Sequence, residues 1–305
     1  MRDQHRAYLF GAATVLMWST VASAFKLSLN HIDHIQLLLY SCMVSICVLS
    51  VILLIQGRFM IIFSYTRRQY LLSLWLGILN PFLYYLVLFK AYDLLPAQVA
   101  QPVNYTWALT LAFLSIPLLK QKIGLRVLIA GLICYCGVFI ILTHGDIGNL
   151  TASDPTGVIL ALFSTVIWSL FWIYNTKDER DPAASLLLNF LFSLPFILIS
   201  CLIFSDIRAV NIAGLVGAAY VGVFEMGFTF VLWLYALRLS ENTAKVGYLI
   251  FLSPFLSLVF IHVLVGETIF SSTVVGLVLI VAGLVLQHYG SSAPPRKTAR
   301  HGGSD

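Results

Sequence analysis

The sequence predicts an all-α integral membrane protein of ten transmembrane helices, arranged as two inverted five-helix repeats. Three observations lead to this fold class: an apolar composition, ten long apolar segments, and a resemblance between the two halves of the chain. The 305 residues are 60% hydrophobic and only 10% charged, whereas about 25% of the residues in a soluble domain are charged. This composition excludes a nucleic-acid-binding protein, a disordered chain and a water-soluble enzyme.

Ten segments are long enough to cross a bilayer, which takes about 20 apolar residues for a hydrocarbon layer of roughly 30 Å. In chain order they are residues 7–29, 35–55, 70–89, 97–119, 125–143, 157–175, 184–204, 212–237, 243–265 and 271–289. The connections between them are short and polar, so no domain outside the membrane is expected. Residues 291–305 are rich in Gly, Pro and Ser, and we expect them to form a disordered cytoplasmic tail.

The first segment follows Arg2 and Arg6 and contains the run Ala22-Ser23-Ala24, so it resembles a signal peptide with its cleavage site. The apolar run continues past this site through Leu29, and the repeat described below requires the segment. We therefore interpret it as the first transmembrane helix. Further along the chain, prolines interrupt the third, fourth and ninth segments at Pro81, Pro102 and Pro254.

The 18 Lys and Arg residues orient the segments, because these residues accumulate in short cytoplasmic loops. With the N-terminus inside, only Lys26, Lys90 and Arg208 fall outside or near the outer face of the membrane. We therefore expect a multi-pass protein of a bacterial-type cytoplasmic (inner) membrane with both termini in the cytoplasm. A reporter fused after Asp305 should be internal, and one at Gly148 should be external. The same asymmetry accounts for the net charge of +5 without an acidic partner.

The two halves of the chain resemble each other at several positions. The matches are Trp18-Ser19 with Trp168-Ser169, residues 91–131 with 236–276, Gly77 with Gly222, and Asn80 with Glu225. Each unit has five segments, an odd number, so the second copy must enter the membrane from the opposite side, as in many secondary transporters. We expect a first repeat at residues 1–143, an external linker at 144–156 and a second repeat at 157–290.

Several motifs resemble the EamA branch of the drug/metabolite transporter superfamily. They are Trp18-Ser19 with Lys26, Val103-Asn104-Tyr105-Thr106-Trp107, Leu252-Ser253-Pro254-Phe255-Leu256-Ser257 and Gly266-Glu267. The resemblance implies ten helices in two inverted repeats, a central cavity lined by segments 1, 3, 4, 6, 8 and 9, and a small-molecule substrate. The chain departs from the family pattern in the first repeat, where Gln121-Lys122 takes the place of Gly-Glu.

Glu225 lies almost at the middle of the eighth segment, where a charged side chain costs about 2.5–3.5 kcal/mol on insertion scales. At steps of three and four residues, its stripe holds Ala218, Gly222, Thr229 and Trp233. The counterpart stripe of the third segment holds Ser73, Gly77, Asn80 and Tyr84. We expect Glu225 to face the cavity as the coupling or cation-binding group. The alternative is a structural hydrogen bond between tightly packed helices.

Lys26 lies near the outer end of the first segment, on a stripe with Ser19 and Ser23. It is a candidate anchor for a substrate carboxylate or a candidate partner of Glu225. The alternative is a lysine that extends its ammonium group to water at the membrane interface.

Aromatic side chains with a few polar groups are typical of a small-molecule cavity, and two further stripes have this character. The stripe of the fourth segment holds Gln98, Gln101 and Tyr105, with Asn104 beside them, and the stripe of the sixth holds Ser164, Trp168, Trp172 and Asn175. The candidate cavity residues are Trp18, Lys26, Asn80, Tyr84, Gln101, Asn104, Tyr105, Trp168, Trp172, Asn175 and Thr229. Because Trp and Tyr are also common at membrane interfaces, the set is stronger evidence than any single member.

These features favour a secondary transporter that exports a small organic metabolite such as an amino acid by alternating access, with proton coupling at Glu225. The chain has no Walker loop and no His-Glu-x-x-His motif, so neither ATP hydrolysis nor metalloenzyme chemistry is expected, and no cofactor is expected. One alternative is a passive facilitator or channel for small polar solutes, which would need a continuous polar pore. A more remote alternative is an intramembrane enzyme. The expected partners are a small-molecule substrate and the lipid bilayer.

Overall fold

The computed structural model describes residues 2–120, 124–146, 153–206, 211–240 and 246–290. These residues form helices joined by short turns, and no strand occurs among them. The predicted all-α class is therefore confirmed for this part of the chain. Four features named from the sequence lie outside the described residues: the Gln121-Lys122 pair, Gly148 in the linker, Arg208, and the tail at 291–305.

We number the α-helices of the described ranges in chain order. They are α1 (Arg2–Leu29), α2 (His34–Ile55), α3 (Arg67–Gly77), α4 (Tyr84–Leu94), α5 (Ala97–Tyr105), α6 (Trp107–Leu119), α7 (Leu125–Leu142), α8 (Pro155–Asn175), α9 (Pro182–Phe204), α10 (Ile212–Phe224), α11 (Phe228–Leu239), α12 (Ser253–Phe260) and α13 (Ser271–Gly290). Short 3-10 helices lie at Phe59–Phe63 and Tyr248–Leu252, and π-helical turns lie at Ile78–Leu83 and Ile261–Val265.

Eight helices in the described part of the chain are long and apolar enough to cross a membrane. Two further apolar helices, Leu249–Val265 and Ser271–Gln287, are shorter. The chain is therefore a multi-pass membrane protein. Each of the ten predicted segments overlaps one of these ten helices, whereas a count of ten crossings and the inverted repeat stay predictions.

Three of the long helices are interrupted along their length. The first interruption joins α3 to α4 through the π-helical turn, where Asn80 has the non-helical backbone angles φ −146° and ψ 118°. Pro81 explains this interruption, because proline cannot donate the backbone hydrogen bond of a helix. The second separates α10 from α11, and it contains Glu225 and Gly227. Pro102, in contrast, lies inside α5, and the fourth segment is interrupted at Thr106 instead.

Small residues let the helices approach closely, which is how helices associate in a bilayer. α7 packs along α13, and a Cβ added at Gly137 would lie only 2.5 Å from the Gly276 carbonyl oxygen. α2 packs against both α9 and α10. α1 packs against α10, α11 and α12, while α8 packs against α4 and α6. The central contacts are therefore made by α1 and α8 with the interrupted helices.

Polar side chains connect the halves of the chain at both ends of the bundle. At one end, which we call the Lys26 end, Asp33 caps α2 and accepts a hydrogen bond from Ser205, which follows α9. At the opposite end, which we call the Arg58 end, Asp181 caps α9 and pairs with Arg58 at 2.9 Å. An aspartate N-cap thus makes the connection at each end.

Candidate functional site

Glu225 lies at the interruption between α10 and α11, in the interior of the bundle. The Tyr85 hydroxyl donates a hydrogen bond of 3.1 Å to Glu225 Oε1, and this bond joins two of the interrupted helices. Thr229 is fully buried, and its hydroxyl donates to the Phe224 carbonyl at 2.5 Å, which satisfies a backbone group at the interruption. Glu225 itself keeps accessible surface, although Met226 beside it is fully buried. Glu225 is therefore half-buried at the interruption, with its carboxyl group held by Tyr85.

A second polar group lies beside this carboxyl. The Tyr84 hydroxyl donates to Asn104 Oδ1 at 3.3 Å, and Asn104 Nδ2 donates to Ser164 Oγ at 2.9 Å. Tyr105, the next residue in α5, faces Ser253 of α12. This arrangement brings together three candidate cavity residues (Tyr84, Asn104 and Tyr105) with Ser164 of the sixth-segment stripe and Ser253 of the ninth-segment motif.

An aromatic cluster forms the rest of the site, with Trp168 at its centre. Its ring stacks on Tyr84 at 4.4 Å between centroids, and it contacts Trp172 and Phe230 edge-on at 5.9 and 6.3 Å. Phe230 also contacts Trp18, at 5.7 Å. Rings of the first, third, sixth and eighth segments therefore meet in one cluster.

Several candidate residues carry buried polar atoms that have no hydrogen-bond partner in the described part of the chain. These atoms are Asn80 Oδ1, Gln101 Oε1 and Trp172 Nε1. Such atoms are costly in a bilayer unless a ligand or water satisfies them. Unlike these three, Asn175 lies away from the cluster: it is the last residue of α8, at the Arg58 end. Its backbone carbonyl accepts a hydrogen bond from the Asp178 amide at 3.0 Å.

Lys26 does not contact Glu225. Its ammonium group donates to the backbone carbonyls of Tyr92 and Leu95, at 2.8 and 2.9 Å. It lies at the rim of a separate cavity of about 390 Å³ at the Lys26 end, which Gln98 and Glu267 also line. The interpretation of Lys26 as a partner of Glu225 is therefore not supported by the structure, whereas a role as substrate anchor stays a prediction.

Glu267 has a structural role that the sequence did not predict. Its two carboxylate oxygens accept hydrogen bonds from the backbone amides of Ala97 and Gln98, at 2.7 and 3.0 Å. These amides open α5, so the carboxylate caps a helix to which it is not connected in sequence. The Gln98 side chain, in turn, donates to the Thr268 carbonyl at 2.8 Å.

At the Arg58 end, Asp178 accepts hydrogen bonds from Arg180 Nε at 2.8 Å and Nη2 at 2.7 Å, and also one from Ser185. Burial raises the pKa of Asp178, but the hydrogen bonds from Arg180 and Ser185 outweigh it and hold the pKa below its ordinary value. The Arg180 guanidinium also lies over the Tyr65 ring at 5.1 Å. Burial, followed by the charge of Asp181, raises the pKa of Tyr65.

The described residues contain no group of three or more His, Cys, Asp or Glu side chains that could hold a metal ion. Two neighbours in this site were missed from the sequence: Tyr85 and Phe230. Each lies next to a residue of a predicted stripe. A search of residues adjoining the stripes would have found them.

Comparison with known proteins gives consistent results. The model of the EamA-like transporter family matches residues 5–143 and 155–287. An uncharacterized transporter of Archaeoglobus fulgidus is 22% identical over 92% of this chain and 96% of its own length. An uncharacterized transporter of Clostridium kluyveri is 28% identical over 61% of this chain, and the match spans 65% of that relative's length. A solved crystal structure has a TM-score of 0.66 with 20% identity, and it covers 92% of this chain and 95% of that one.

Proposed function

The chain belongs to the EamA-like transporter family, and from this premise we propose that it is a secondary active exporter of a small organic metabolite, such as an amino acid. In this proposal, ten transmembrane helices form two inverted repeats, and access to a central cavity alternates between the two membrane faces. A proton exchanged at Glu225 couples the cycle to the proton gradient. The observation that carries the proposal is Glu225 at the interruption of its helix, hydrogen-bonded by Tyr85 of the other half.

The pattern of helix packing supports the inverted repeat. A shift by one five-helix unit exchanges α1 with α8, and it exchanges the α3–α4 pair with the α10–α11 pair. The same shift converts the contact of α1 with α11 into that of α8 with α4, and the contact of α1 with α12 into that of α8 with α6. The contact of α2 with α9 and the contact of α7 with α13 each join a helix to its own counterpart, so the exchange of the halves leaves them unchanged.

Two of the helix interruptions support a substrate site at mid-membrane. Asn80 and Glu225, which the alignment of the halves pairs, both lie in interruptions. Interrupted helices in secondary transporters direct their half-helix ends at substrates and coupling ions. The first turn of α11, with the positive end of its helix dipole, begins three residues after Glu225. Since Asn80 cannot ionise, only one half would carry the proton.

The lining of the site suits an amino acid or a similar metabolite. The carboxyl of Glu225 can receive a substrate ammonium group, and Asn104 offers an amide within the same cluster. Trp18, Trp168 and Phe230 provide aromatic surface for the apolar part of the substrate. The outward direction and the cytoplasmic location of both termini rest on the charge distribution and on the family resemblance.

Transport in proteoliposomes tests the proposal. A panel of radiolabelled amino acids is measured with and without a pH gradient, for the parent and for Glu225→Gln, which keeps the shape and hydrogen bonding of the side chain. We expect normal membrane abundance, loss of gradient-driven transport, and a flattened pH profile. Asp93→Asn is the matched control, because Asp93 pairs with Lys90 in an exposed position.

Unchanged transport and pH response in Glu225→Gln would remove the residue from the mechanism. A loss of abundance alone would favour a packing role for the carboxyl. Transport in the parent that is indifferent to the pH gradient would favour a passive facilitator.

A further inference from the structure

Polar side chains extend from the Lys26 end toward Glu225 along α1, α5 and α12. At the outer limit of this series is the cavity lined by Lys26 and Glu267. At its inner limit, Ser19 Oγ of α1 lies 3.2 Å from Ser253 Oγ of α12, and Tyr105 of α5 also faces Ser253. Because α1, α5 and α12 also contact one another, their facing surfaces form one continuous interior seam.

Three polar residues lie midway along this seam, and we call them the polar trio. Ser23 and Ser257 follow Ser19 and Ser253 by four residues, and α1 and α12 run in the same direction toward the Lys26 end. Gln101 comes four residues before the tyrosine that faces Ser253, in a helix that runs in the opposite direction. One helical turn therefore places the polar trio at one level, between the Ser19–Ser253 contact and the cavity.

The polar trio is buried and unsatisfied. The exposed fractions are 1% for Ser23, 5% for Gln101 and 0% for Ser257. Ser23 Oγ, Gln101 Oε1 and Ser257 Oγ have no hydrogen-bond partner among the described residues. Serines in membrane helices commonly donate to the carbonyl one turn earlier, as Ser19 and Ser28 do in the same helix. The hydroxyls of Ser23 and Ser257 make no such hydrogen bond to their own helix.

We propose that the polar trio binds a water molecule that gives protons a path from the Lys26 end to Glu225. A buried water typically makes about three hydrogen bonds to otherwise unsatisfied polar groups, and the trio offers three oxygen atoms. The two hydroxyls donate or accept, and the amide oxygen of Gln101 accepts. A metal cation is disfavoured, because the trio contains no carboxylate and the ammonium of Lys26 lies about one turn away.

The path exists on one side only. The alignment of the halves pairs Ser23 with Ile173, Gln101 with Val246 and Ser257 with Ala112, all apolar. Proton access from the Lys26 end therefore has no counterpart from the Arg58 end through the equivalent positions. This inference rests on the proposed function of Glu225, to which it adds the route by which the proton arrives.

Thiol exchange in D₂O tests for the water. Ser257→Cys puts a thiol in the polar trio, and its S–H infrared band shifts when deuterium replaces the proton. The band is measured by difference against the parent, because the parent has five cysteines. Ser41→Cys is the matched control, since Ser41 is fully buried in α2 and donates to the Ala218 carbonyl at 3.0 Å. We expect exchange at least about tenfold faster for Ser257→Cys than for Ser41→Cys.

Gln101→Val, added to Ser257→Cys, copies the apolar counterpart and should slow the exchange to the rate of the control. If Ser257→Cys fails to fold, Ser23→Cys is measured in the same way. Exchange no faster than in the control, or exchange unaffected by Gln101→Val, would overturn the proposal. Because these measurements do not involve transport, their failure would leave the transport test of Glu225 standing, and the reverse also holds.

Discussion

The two ends of the helix bundle use charged side chains differently. At the Lys26 end, the charges act on backbone groups of other elements: Lys26 binds carbonyls at the end of α4, and Glu267 binds the first amides of α5. At the Arg58 end, the buried pair of Asp178 and Arg180 lies within one connection. The charge pair that joins the halves there is Arg58–Asp181, in which the Arg58 side chain is 47% exposed.

The two ends therefore differ in the interactions that must be broken to separate the helices there. Releasing Lys26 and Glu267 leaves backbone groups unsatisfied near the membrane, which is costly. Releasing Arg58 returns its charge to water, while the Asp181 carboxylate, 7% exposed, keeps its hydrogen bonds from the Ala183 and Ala184 amides, so the cost is small. We infer that the Lys26 end is the more firmly held, so the Arg58 end should open more readily in the proposed alternating-access cycle.

The largest expected effect on stability is at Asp178, although this residue takes no part in the contacts that connect the two halves. Asp178→Asn leaves the Arg180 guanidinium, whose side chain is only 2% exposed, without its carboxylate. Breaking such a buried pair costs about 3 kcal/mol. Thermal unfolding of the purified protein should show the loss at neutral pH, with the retained fraction of folded protein measured by size-exclusion chromatography after heating.

The pH dependence of this effect has a definite sign. A carboxyl whose pKa is lowered in the folded state stabilises the fold above its unfolded pKa, and the stabilisation is lost as the pH falls through the lowered value. The difference in stability between parent and Asp178→Asn should therefore be constant near neutral pH and shrink below about pH 3.8, the ordinary aspartate value. A difference that persists into strong acid would show that the pair does not act through its charge.

The next largest effect on stability is expected at Glu267, whose hydrogen bonds connect the two halves at the Lys26 end. Glu267→Ala removes the cap of α5 and should destabilise the protein by about 2 kcal/mol, since hydrogen bonds to charged groups contribute about 1.5–3 kcal/mol. Glu267→Gln, which can still accept with one oxygen, should lose less. We expect amide hydrogen exchange to increase around residues 95–98 and not at the Arg58 end. Equal increases in hydrogen exchange at both ends would show that Glu267 does not act locally at the Lys26 end.

How much of this could be predicted from the sequence differs between fold and site. The apolar segments predicted the helices well: the fourth segment, 97–119, matches the bounds of α5 and α6 together. Glu225 was predicted to lie in the interior, because a lone carboxyl in an apolar run is a strong signal. The cap at Ala97 by Glu267 was not predicted, since nothing local in the sequence connects residues 170 positions apart.

The partner of Glu225 shows a different limit. A stripe of period 3.6 through the third segment selected Tyr84, whereas Tyr85 makes the hydrogen bond. The π-helical turn at Ile78–Leu83 changes the register between α3 and α4, and a π-turn adds a residue relative to an α-turn. A stripe counted across it therefore moves by about one residue. Pro81 indicated the interruption but not its geometry.

Lys26→Met should have a smaller effect than Glu267→Ala. The substitution removes two hydrogen bonds to backbone carbonyls but also removes a partly buried ammonium group, whose desolvation opposes the gain. We expect a net destabilisation of about 1 kcal/mol, read from the same thermal assay. If Lys26→Met were as destabilising as Glu267→Ala, the ammonium group of Lys26 rather than the Glu267 helix cap would be the main contact that holds the Lys26 end together.

The smallest effect is expected for Arg58→Gln, which removes the pair between the halves at the Arg58 end, because Arg58 is 47% exposed and the buried Asp181 keeps the amide hydrogen bonds of its own helix cap. Pairs of this kind contribute about 0.2–1 kcal/mol, and salt screens them. Lys90→Gln is the matched control, because Lys90 pairs with Asp93 within one helix and both side chains are 38% exposed. Both variants should lose less than about 1 kcal/mol of unfolding free energy. Only Arg58→Gln should increase amide hydrogen exchange at residues 56–66 and 176–181. High salt should produce the same increase in the parent. A salt-independent loss as large as that of Glu267→Ala would mean that the two ends are held equally, and the inferred difference in opening would be wrong.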